Sequence, residues 1–186
     1  MNDFSKNLET LVSHLREHAV RTDGPFRLRS GELSDWYIDA RQTTFSGEGA
    51  RAVGAAMLEV IPDGVQAVGG MTMGADPIAF ATAIVAAEAG RSLSAFSIRK
   101  EAKDHGLGGR LVGPVGPGTR VVMLEDTTTT GGALLEAIDV ARQEGLDIVR
   151  AVSLVDRSDG ATGRRVEELG IEYLALVTPA MLGVAG

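Results

Sequence analysis

The sequence predicts an α/β fold, in which helices flank both faces of a central parallel sheet. From residue 49 onward, short apolar segments alternate with longer segments of helical periodicity, which is typical of a parallel sheet covered on both faces. Glycine-rich or charged segments follow three of the predicted strands, at residues 69–74, 99–109 and 125–132. In such sheets ligands bind beyond the carboxyl ends of the strands, so these segments form the candidate functional site.

The N-terminal segment has a different pattern and predicts a small lobe over the edge of the sheet. Residues 3–19 repeat apolar side chains at helical spacing, which predicts an amphipathic helix. Residues 26–29 and 36–38 flank a Ser-Gly-Glu turn and predict a short hairpin or two linked extended segments. His14 and His18 also lie at helical spacing, but no acidic third ligand with that spacing stands beside them. We interpret them as an exposed helix face.

The remaining elements follow in order along the chain. Apolar runs bounded by glycine or charge predict strands at residues 65–70, 93–98, 120–124, 148–155 and 172–177. Helical periodicity predicts helices at residues 49–61, 76–89, 131–144 and 164–169. Pro77 suits the first turn of the second of these helices, while Gly145 and Gly170 end the last two. We see no repeat or linker and predict a single domain over residues 1–186, with a hood lobe formed by residues 1–40 and the C-terminal tail.

Composition and charge disfavour several classes of function. The chain has 186 residues, 44% of them hydrophobic, and no cysteine, so neither a disulfide framework nor a thiolate metal site is possible. The formal net charge of −7 disfavours nucleic acid, and a site for an anion must be local. The N-terminus lacks the basic start and apolar stretch of a signal peptide, and the apolar run at residues 77–87 is too short to span a bilayer. We expect a cytoplasmic protein.

The segment from residue 121 to residue 133 carries the clearest chemistry. An apolar strand leads into Glu125 and Asp126, then four threonines, two glycines and a helix. Glycines, threonine hydroxyls and a helix N-terminus suit a phosphate, whereas the two acids suit ribose hydroxyls or a Mg²⁺ ion held through water. A plain strand-to-helix turn is the alternative, and the acid pair disfavours it. The glycines have neither the following lysine of a Walker loop nor the spacing of a dinucleotide fingerprint.

A cationic segment and an aromatic segment complete the candidate site. Residues 99–105 carry three cations and a histidine ahead of three glycines, and such a loop can close over a polyphosphate and offset charge on a departing pyrophosphate. A solvated charged loop explains that composition equally well. Residues 26–39 place aromatic side chains and a cation around one turn, which suits a flat base bearing a carboxylate. Simple burial is the better interpretation for Phe26 and Trp36.

Residues 121–133 resemble the phosphoribosyl pyrophosphate (PRPP) signature of type I phosphoribosyltransferases. The resemblance implies that Glu125 and Asp126 bind the ribose 2- and 3-hydroxyls and that the following loop binds the 5-phosphate. Members of the family often carry Asp-Asp, so Glu125 is a mild departure. On the signature, the implied PRPP-binding residues are Glu125, Asp126, Thr127, Thr128, Thr129, Thr130, Gly131, Gly132 and Ala133.

The order Arg-Lys-Glu-Ala-Lys-Asp-His-Gly-x-Gly-Gly resembles the catalytic loop of orotate phosphoribosyltransferases in particular. The resemblance implies that Arg99, Lys100, Lys103 and His105 contact pyrophosphate, with Lys103 the residue most tied to rate. Lys103, His105 and Asp126 are then the candidate catalytic residues. It also implies a homodimer in which this loop reaches the neighbouring subunit's site, although nothing in the periodicity shows a dimer.

Residues 26–39 resemble the base-binding segment Phe-x-Leu-Lys-Ser-Gly-x-x-Ser of the same family. The resemblance implies that Tyr37 and Ile38 flank the pyrimidine, that Arg157 pairs with the orotate carboxylate and that Thr129 hydrogen-bonds the base. Arg29 stands where many members have lysine, which changes its reach. Met73 likewise replaces a frequent lysine in the glycine loop at residues 69–77, for which a plain turn is nearly as good an explanation.

The resemblance as a whole implies an enzyme that joins orotate and PRPP to give orotidine monophosphate and pyrophosphate, with Mg²⁺ as cofactor and no protein-built metal site. Two alternatives remain open. One is a phosphoribosyltransferase for another base, against which Arg157, Tyr37 and the cationic loop argue. The other is a regulator that binds PRPP without turnover, which would need a nucleic-acid-binding surface at odds with the net charge of −7.

Overall fold

An N-terminal lobe precedes the central sheet in the computed structural model, which describes residues 3–27, 31, 33–102 and 109–184. Helix α1 spans Asp3–His18, close to its predicted bounds. Four two-residue strands follow it: β1 (Val20–Arg21), β2 (Phe26–Arg27), β3 (Leu33–Ser34) and β4 (Tyr37–Ile38). Two helices then lead into the sheet: α2 (Arg41–Thr44) and α3 (Gly47–Leu58).

The extended segments of the hood lobe form two separate antiparallel pairs. β2 pairs with β3, whereas β4 pairs with β1, so that Ile38 lies opposite Val20. Strand β4, which carries Tyr37, therefore pairs with β1, directly after α1. It does not pair with β3, the strand that precedes it in the chain. Helix α2 was missed by the sequence analysis because its four residues are too few to show apolar periodicity.

Six strands form the central sheet: β5 (Ala67–Met71), β6 (Ser94–Ile98), β7 (Leu111–Val112), β8 (Arg120–Thr128), β9 (Asp147–Asp156) and β10 (Glu172–Val177). Their order is β10-β9-β8-β5-β6-β7, and every neighbouring pair is parallel except β6 and β7. The remaining helices are α4 (Ala75–Glu88), α5 (Gly132–Gln143), α6 (Ala161–Glu167) and α7 (Pro179–Leu182). This arrangement confirms the predicted α/β class. In the described part of the chain, none of the helices combines the length and apolar character needed to cross a membrane.

Helices cover both faces of the sheet, and the side chains of β8 alternate between them. Val122 and Leu124 belong to an apolar cluster that includes residues of α1, α3 and α4. Val121 and Met123 belong to a second cluster that includes residues of α5 and α6. All four are completely buried, because successive strand residues point to opposite faces and each face has its own helices.

The chain reverses its direction of travel across the sheet between β5 and β8. Strand β6 lies on one side of β5. The chain then crosses to the other side of β5, where β8, β9 and β10 follow in turn. A crevice forms at such a switch point, beyond the carboxyl ends of the two strands. The loop after β5 and the loop after β8 are two of the three segments in which the sequence predicted ligand binding.

Strand β8 is longer than its predicted range of 120–124. It pairs with β9 as far as Thr128 opposite Asp156, so Glu125 and Asp126 are strand residues rather than loop residues. The extra residues of β8 are strand residues because they pair with β9. The apolar pattern of the sequence ends before them, so it does not indicate the extension. β7 and α7 were also missed because both are short, and α6 begins three residues earlier than predicted.

Two adjacent glycines let β5 lie between its neighbours at close range. A Cβ atom at Gly70 would lie 2.0 Å from the carbonyl oxygen of Leu124, and one at Gly69 would lie 2.1 Å from that of Phe96. Both obstacles are backbone atoms of paired strands, so neither can move without disturbing the sheet. Gly70 thus permits the close approach of β5 and β8, the two strands that border the crevice, and Gly69 permits that of β5 and β6.

We predict that Gly70→Ala lowers the free energy of unfolding by at least about 2 kcal/mol, because overpacking against backbone forces the strands apart. Gly47→Ala is the matched control, since a Cβ atom there meets nothing within 4 Å and the residue is helical. Urea denaturation of both variants measures the effect. Equal stability of Gly70→Ala and the wild type would contradict the close-approach explanation.

Candidate active site

The loops after β5 and β8 meet at the crevice. A Cβ atom at Gly74 would lie 2.8 Å from the Cγ and Oδ1 atoms of Asp126, so this carboxylate rests directly against the backbone of the loop after β5. Asp126 Oδ1 also accepts a hydrogen bond from the Thr127 amide at 2.7 Å. In the same loop, the Thr72 hydroxyl donates to Asp76 Oδ2 at 2.7 Å. Met73, which replaces a frequent lysine, is 56% exposed.

Glu125 is a buried acid. Only 8% of the residue is exposed, and among the described residues none donates a hydrogen bond to its Oε2 atom. Burial, together with the adjacent Asp126 charge, raises the pKa of this carboxyl to about 9, while Lys100 opposes the shift. Glu125 therefore keeps its proton at neutral pH and presents a neutral carboxylic acid, which can donate as well as accept a hydrogen bond.

The hydroxyl of Thr128 faces away from the predicted phosphate site. It is buried, donates to Asp156 Oδ1 at 2.9 Å and lies 3.3 Å from the Tyr173 hydroxyl. Burial raises the pKa of Tyr173 to about 12, so this phenol stays protonated. Asp156 Oδ1 also accepts from the Ser158 amide at 2.8 Å. Thr128 thus supports the strand ends, and its hydroxyl is not free to act as the phosphate donor that the sequence analysis expected.

Beyond Thr128, the chain turns into α5 through a left-handed glycine. Gly131 has φ of 72°, and a Cβ atom there would lie 2.8 Å from the Thr162 side chain. No side chain caps the N-terminus of α5, so its first amide groups are left for a ligand. Thr129, Thr130, Gly132 and Ala133 are exposed around this turn, and Arg165 donates to the Thr130 carbonyl from outside.

The two ends of the cationic loop are joined at the carboxyl end of β6. The Arg99 amide donates to the Arg110 carbonyl at 2.8 Å, and Arg110 Nε donates to the Arg99 carbonyl at 2.6 Å. Arg110 also pairs with Glu136 of α5, at 2.5 Å. Lys100 is exposed. The predicted catalytic residues Lys103 and His105 lie outside the described residues.

The predicted base-binding residues take different positions. Tyr37 is 38% exposed, and its ring lies 5.8 Å from that of Phe26. Ile38 is 5% exposed and packs in the core, so its side chain cannot flank a base as expected. Adjacent strand residues point to opposite faces, which explains why only one of the two is available. Arg29 lies outside the described residues.

Arg157 lies where the sequence placed it, at the carboxyl end of β9. Its amide donates to the Thr128 carbonyl at 2.8 Å, and its guanidinium carbon lies 3.9 Å from the centre of the Trp36 ring. Burial lowers the pKa of this guanidinium, and nearby Tyr37 opposes the shift. The sequence analysis interpreted Trp36 as buried only. It is buried, at 8% exposure, but one face of its indole carries the arginine.

Sequence reasoning also missed Asp156 and Arg110. Asp156 could have been found, because an acid at the carboxyl end of a parallel strand is a sequence signal for a site residue. Arg110 could not, because its partners are brought to it only by the tertiary fold. The interpretation of His14 as part of an exposed face was wrong, because its Nδ1 lies 3.1 Å from the Thr43 hydroxyl and the ring is half-buried beside α2. Among the residues that the structure describes, no three His, Asp or Glu side chains are grouped to hold a metal ion.

Comparison with known proteins identifies the family. No protein-family model matches the chain. The orotate phosphoribosyltransferase of Streptomyces coelicolor is 43% identical over 165 residues, which cover 88% of this chain and 90% of that protein. That of Corynebacterium glutamicum (strain R) is 40% identical over 188 residues, 99% of this chain and 100% of the relative.

Among solved structures, Mycobacterium tuberculosis orotate phosphoribosyltransferase in complex with Fe(III) dicitrate superposes with a TM-score of 0.84 at 34% identity, covering 96% of this chain and 99% of that one. The match extends over the hood lobe, the central sheet and the helices on both of its faces. The predicted type I phosphoribosyltransferase fold is thereby confirmed. The chain belongs to the orotate phosphoribosyltransferase family.

Proposed function

We propose that this protein transfers the phosphoribosyl group of PRPP to orotate, giving orotidine 5-phosphate and pyrophosphate in pyrimidine nucleotide biosynthesis. Family membership supports the reaction, and the Mycobacterium tuberculosis relative has been solved in complex with PRPP. The observation that carries the proposal is the convergence of three features at one sheet edge. The acid pair Glu125 and Asp126, the uncapped N-terminus of α5 and the guanidinium of Arg157 all lie at the carboxyl ends of β8 and β9.

PRPP would be held by the end of β8 and the turn that follows it. Glu125 and Asp126 face the ribose hydroxyls, where the protonated Glu125 can donate one hydrogen bond. The 5-phosphate takes the amide groups at the start of α5, because a helix N-terminus favours an anion. The residues assigned to that phosphate are Thr129, Thr130, Gly131, Gly132 and Ala133. Thr127 and Thr128 hold this frame in place through Asp126 and Asp156.

Mg²⁺ is the proposed cofactor, and the donor set fits it. Magnesium prefers oxygen ligands and usually binds through one or two carboxylates together with substrate phosphates. Asp126 borders the crevice, and in the described residues no donor reaches Oδ1 of Asp76, in the first turn of α4. Asp126, through water, and PRPP itself would hold the ion, which would neutralise charge on the departing pyrophosphate.

Catalysis would depend on position and charge. The C1–O bond to pyrophosphate breaks with its electron pair leaving on oxygen, while a ring nitrogen of orotate bonds to C1 and loses its proton. Arg99, Lys100, Lys103 and His105 would stabilise the leaving group. Asp126 would orient the ribose as positive charge develops on it. Holding both substrates in one geometry supplies much of the rate, so no covalent nucleophile is required.

Orotate would lie between the hood lobe and the carboxyl end of β9. Arg157 is assigned to its carboxylate, since a guanidinium matches a carboxylate with two parallel hydrogen bonds. Tyr37 is assigned to the face of the ring and Thr129 to a hydrogen bond with the base. Ile38 would contribute through its backbone only, because its side chain is buried. Arg29 is assigned to a contact with orotate or pyrophosphate.

A homodimer is the proposed assembly, with the cationic loop of each subunit serving the site of the other. Helix α4 supports it, since Phe80 and Ile84 are each 60% exposed and lie one turn apart. Large apolar side chains clustered on one outer helix face are typical of an interface.

We also propose that residues 1–186 act as one domain with the hood lobe at residues 1–40, and that the protein is cytoplasmic.

We predict that orotate absorbance falls only when the protein, PRPP and Mg²⁺ are all present. In Lys103→Ala the rate should fall at least about 100-fold, because one charge contact in a transition state is worth that much. The exposed Lys6 of α1 gives the matched control, Lys6→Ala, with an unchanged rate. If orotate is untouched while another base reacts, the base assignment is wrong. PRPP binding without turnover of any base would favour the regulator.

Glu125→Gln should stabilise the free protein, increasingly as pH rises. The folded pKa of Glu125 lies near 9 and the ordinary value near 4.5, so between these values the unfolded chain ionises while the folded chain must keep the proton. The wild type therefore loses stability across this window, and the neutral amide does not. We expect equal stability at pH 4 and an advantage of more than about 1 kcal/mol for the variant at pH 8. An advantage independent of pH in urea titrations would refute a buried, protonated Glu125.

Mixing two inactive variants tests whether the cationic loop is shared between subunits. Lys103→Ala has an intact ribose site, and Asp126→Asn has an intact loop. In a co-refolded mixture, half of the dimers are mixed and each has one complete site, so about a quarter of wild-type activity should return. A mixture of Lys103→Ala with His105→Ala is the control and should stay inactive, since both changes lie in the loop. No recovery in the first mixture would show that the loop acts within its own subunit.

A further inference from the structure

The guanidinium of Arg157 lies over the indole ring of Trp36. The guanidinium carbon is 3.9 Å from the centre of the ring, which is the range of a favourable cation–π contact. Trp36 belongs to the hood lobe, between β3 and β4, whereas Arg157 follows β9 of the central sheet. The contact therefore joins the two parts of the molecule between which orotate is proposed to bind.

Both partners are held by bonds that do not involve the other. The Ser34 hydroxyl donates to the Trp36 carbonyl at 2.8 Å, and the indole packs in the larger apolar cluster at 8% exposure. The Arg157 amide donates to the Thr128 carbonyl at 2.8 Å. Since both backbones are fixed, the indole is a rigid surface that limits where the long arginine side chain can lie.

The contact with the indole is not a hydrogen bond, so it does not use the N–H donors of the guanidinium. Within residues 3–27, 33–102 and 109–184, no carboxylate or carbonyl accepts a hydrogen bond from the Arg157 guanidinium. A guanidinium carries five N–H donors in its plane, and a carboxylate binds two of them side by side. The indole face thus orients the group while its donors stay free for an anionic substrate.

We propose that Trp36 is a positioning residue that holds Arg157 ready for the carboxylate of the base and so helps to select a carboxylated pyrimidine. The proposal rests on the proposed function, in which Arg157 binds orotate. A free arginine side chain loses conformational entropy when it is ordered by a ligand, and this loss weakens binding. In this protein the stack orders the side chain before orotate arrives. Removing the indole should therefore weaken orotate binding without weakening PRPP binding.

The kinetic test compares Trp36→Leu, which removes the π face, with Trp36→Phe, which keeps an aromatic face. We expect the KM for orotate to rise about tenfold in Trp36→Leu and by less in Trp36→Phe, with the KM for PRPP unchanged within about twofold. In Trp36→Leu/Arg157→Ala, the KM for orotate should match that of Arg157→Ala alone, because the indole acts only through the arginine. Equal rises in both KM values would show a general structural role and overturn the proposal.

Fluorescence gives a second test that needs no substrate and no variant of Trp36. This tryptophan is the only one in the chain, so the emission reports one indole. Arg157→Ala should shift the emission of the ligand-free protein, because a charge is removed from the ring face. Arg164→Ala removes an exposed arginine of α6 and is the matched control, with no shift expected. An unchanged spectrum in Arg157→Ala would overturn the stack, even if the Trp36 variants fail to fold.

Kinetics of the single variants separate the role of Arg157 from that of Trp36. If Arg157→Ala leaves the KM for orotate unchanged, the proposed function is wrong about Arg157 and the positioning role falls with it. If Arg157→Ala raises the KM for orotate while Trp36→Leu does not, Arg157 still binds orotate as proposed, but Trp36 has no positioning role.

Discussion

Parallel pairing of β8 with β9 continues beyond the apolar core, to Thr128 opposite Asp156, and the geometry of the site depends on that extension. It carries the acid pair to the carboxyl edge of the sheet and brings Arg157 beside the turn that is proposed to bind PRPP. Asp156 links the two strand ends, because one of its oxygens accepts from both the Thr128 hydroxyl and the Ser158 amide. A loss of pairing at this end would displace the proposed ribose, phosphate and base contacts together.

The electrostatics of the site follow from how deeply each group is buried. The chain carries a formal charge of −7, yet the acid closest to the core is neutral because Glu125 is shielded from water. The cations of the candidate site differ in exposure, with Arg157 half-buried and Lys100 exposed. A negatively charged substrate would therefore meet exposed positive charge at the surface and hydrogen-bond donors deeper in the crevice. This order suits a ligand that has to enter and leave.

The sequence predicted what depends on local pattern and missed what depends on tertiary contact. The acids and threonines at the end of β8 and the glycines that follow are contiguous, so a role could be proposed for them from the sequence, and Arg157 lies at the predicted strand end. Three properties were not accessible: the raised pKa of Glu125, the inward direction of the Thr128 hydroxyl, and the burial of Ile38 beside exposed Tyr37. The first follows mainly from burial in the folded chain, and the other two follow from contacts with residues distant in sequence, such as the hydrogen bond from Thr128 to Asp156.

The outer face of α4 has a consequence for how the protein behaves at different concentrations. Phe80 and Ile84 face outward from a helix that is apolar on its inner side as well. In the proposed dimer, these side chains are covered only while two subunits are associated, so mass action links assembly to folding. Dilution would then lower the thermal midpoint as well as the activity. The amount of protein that a cell maintains would set how long each copy survives.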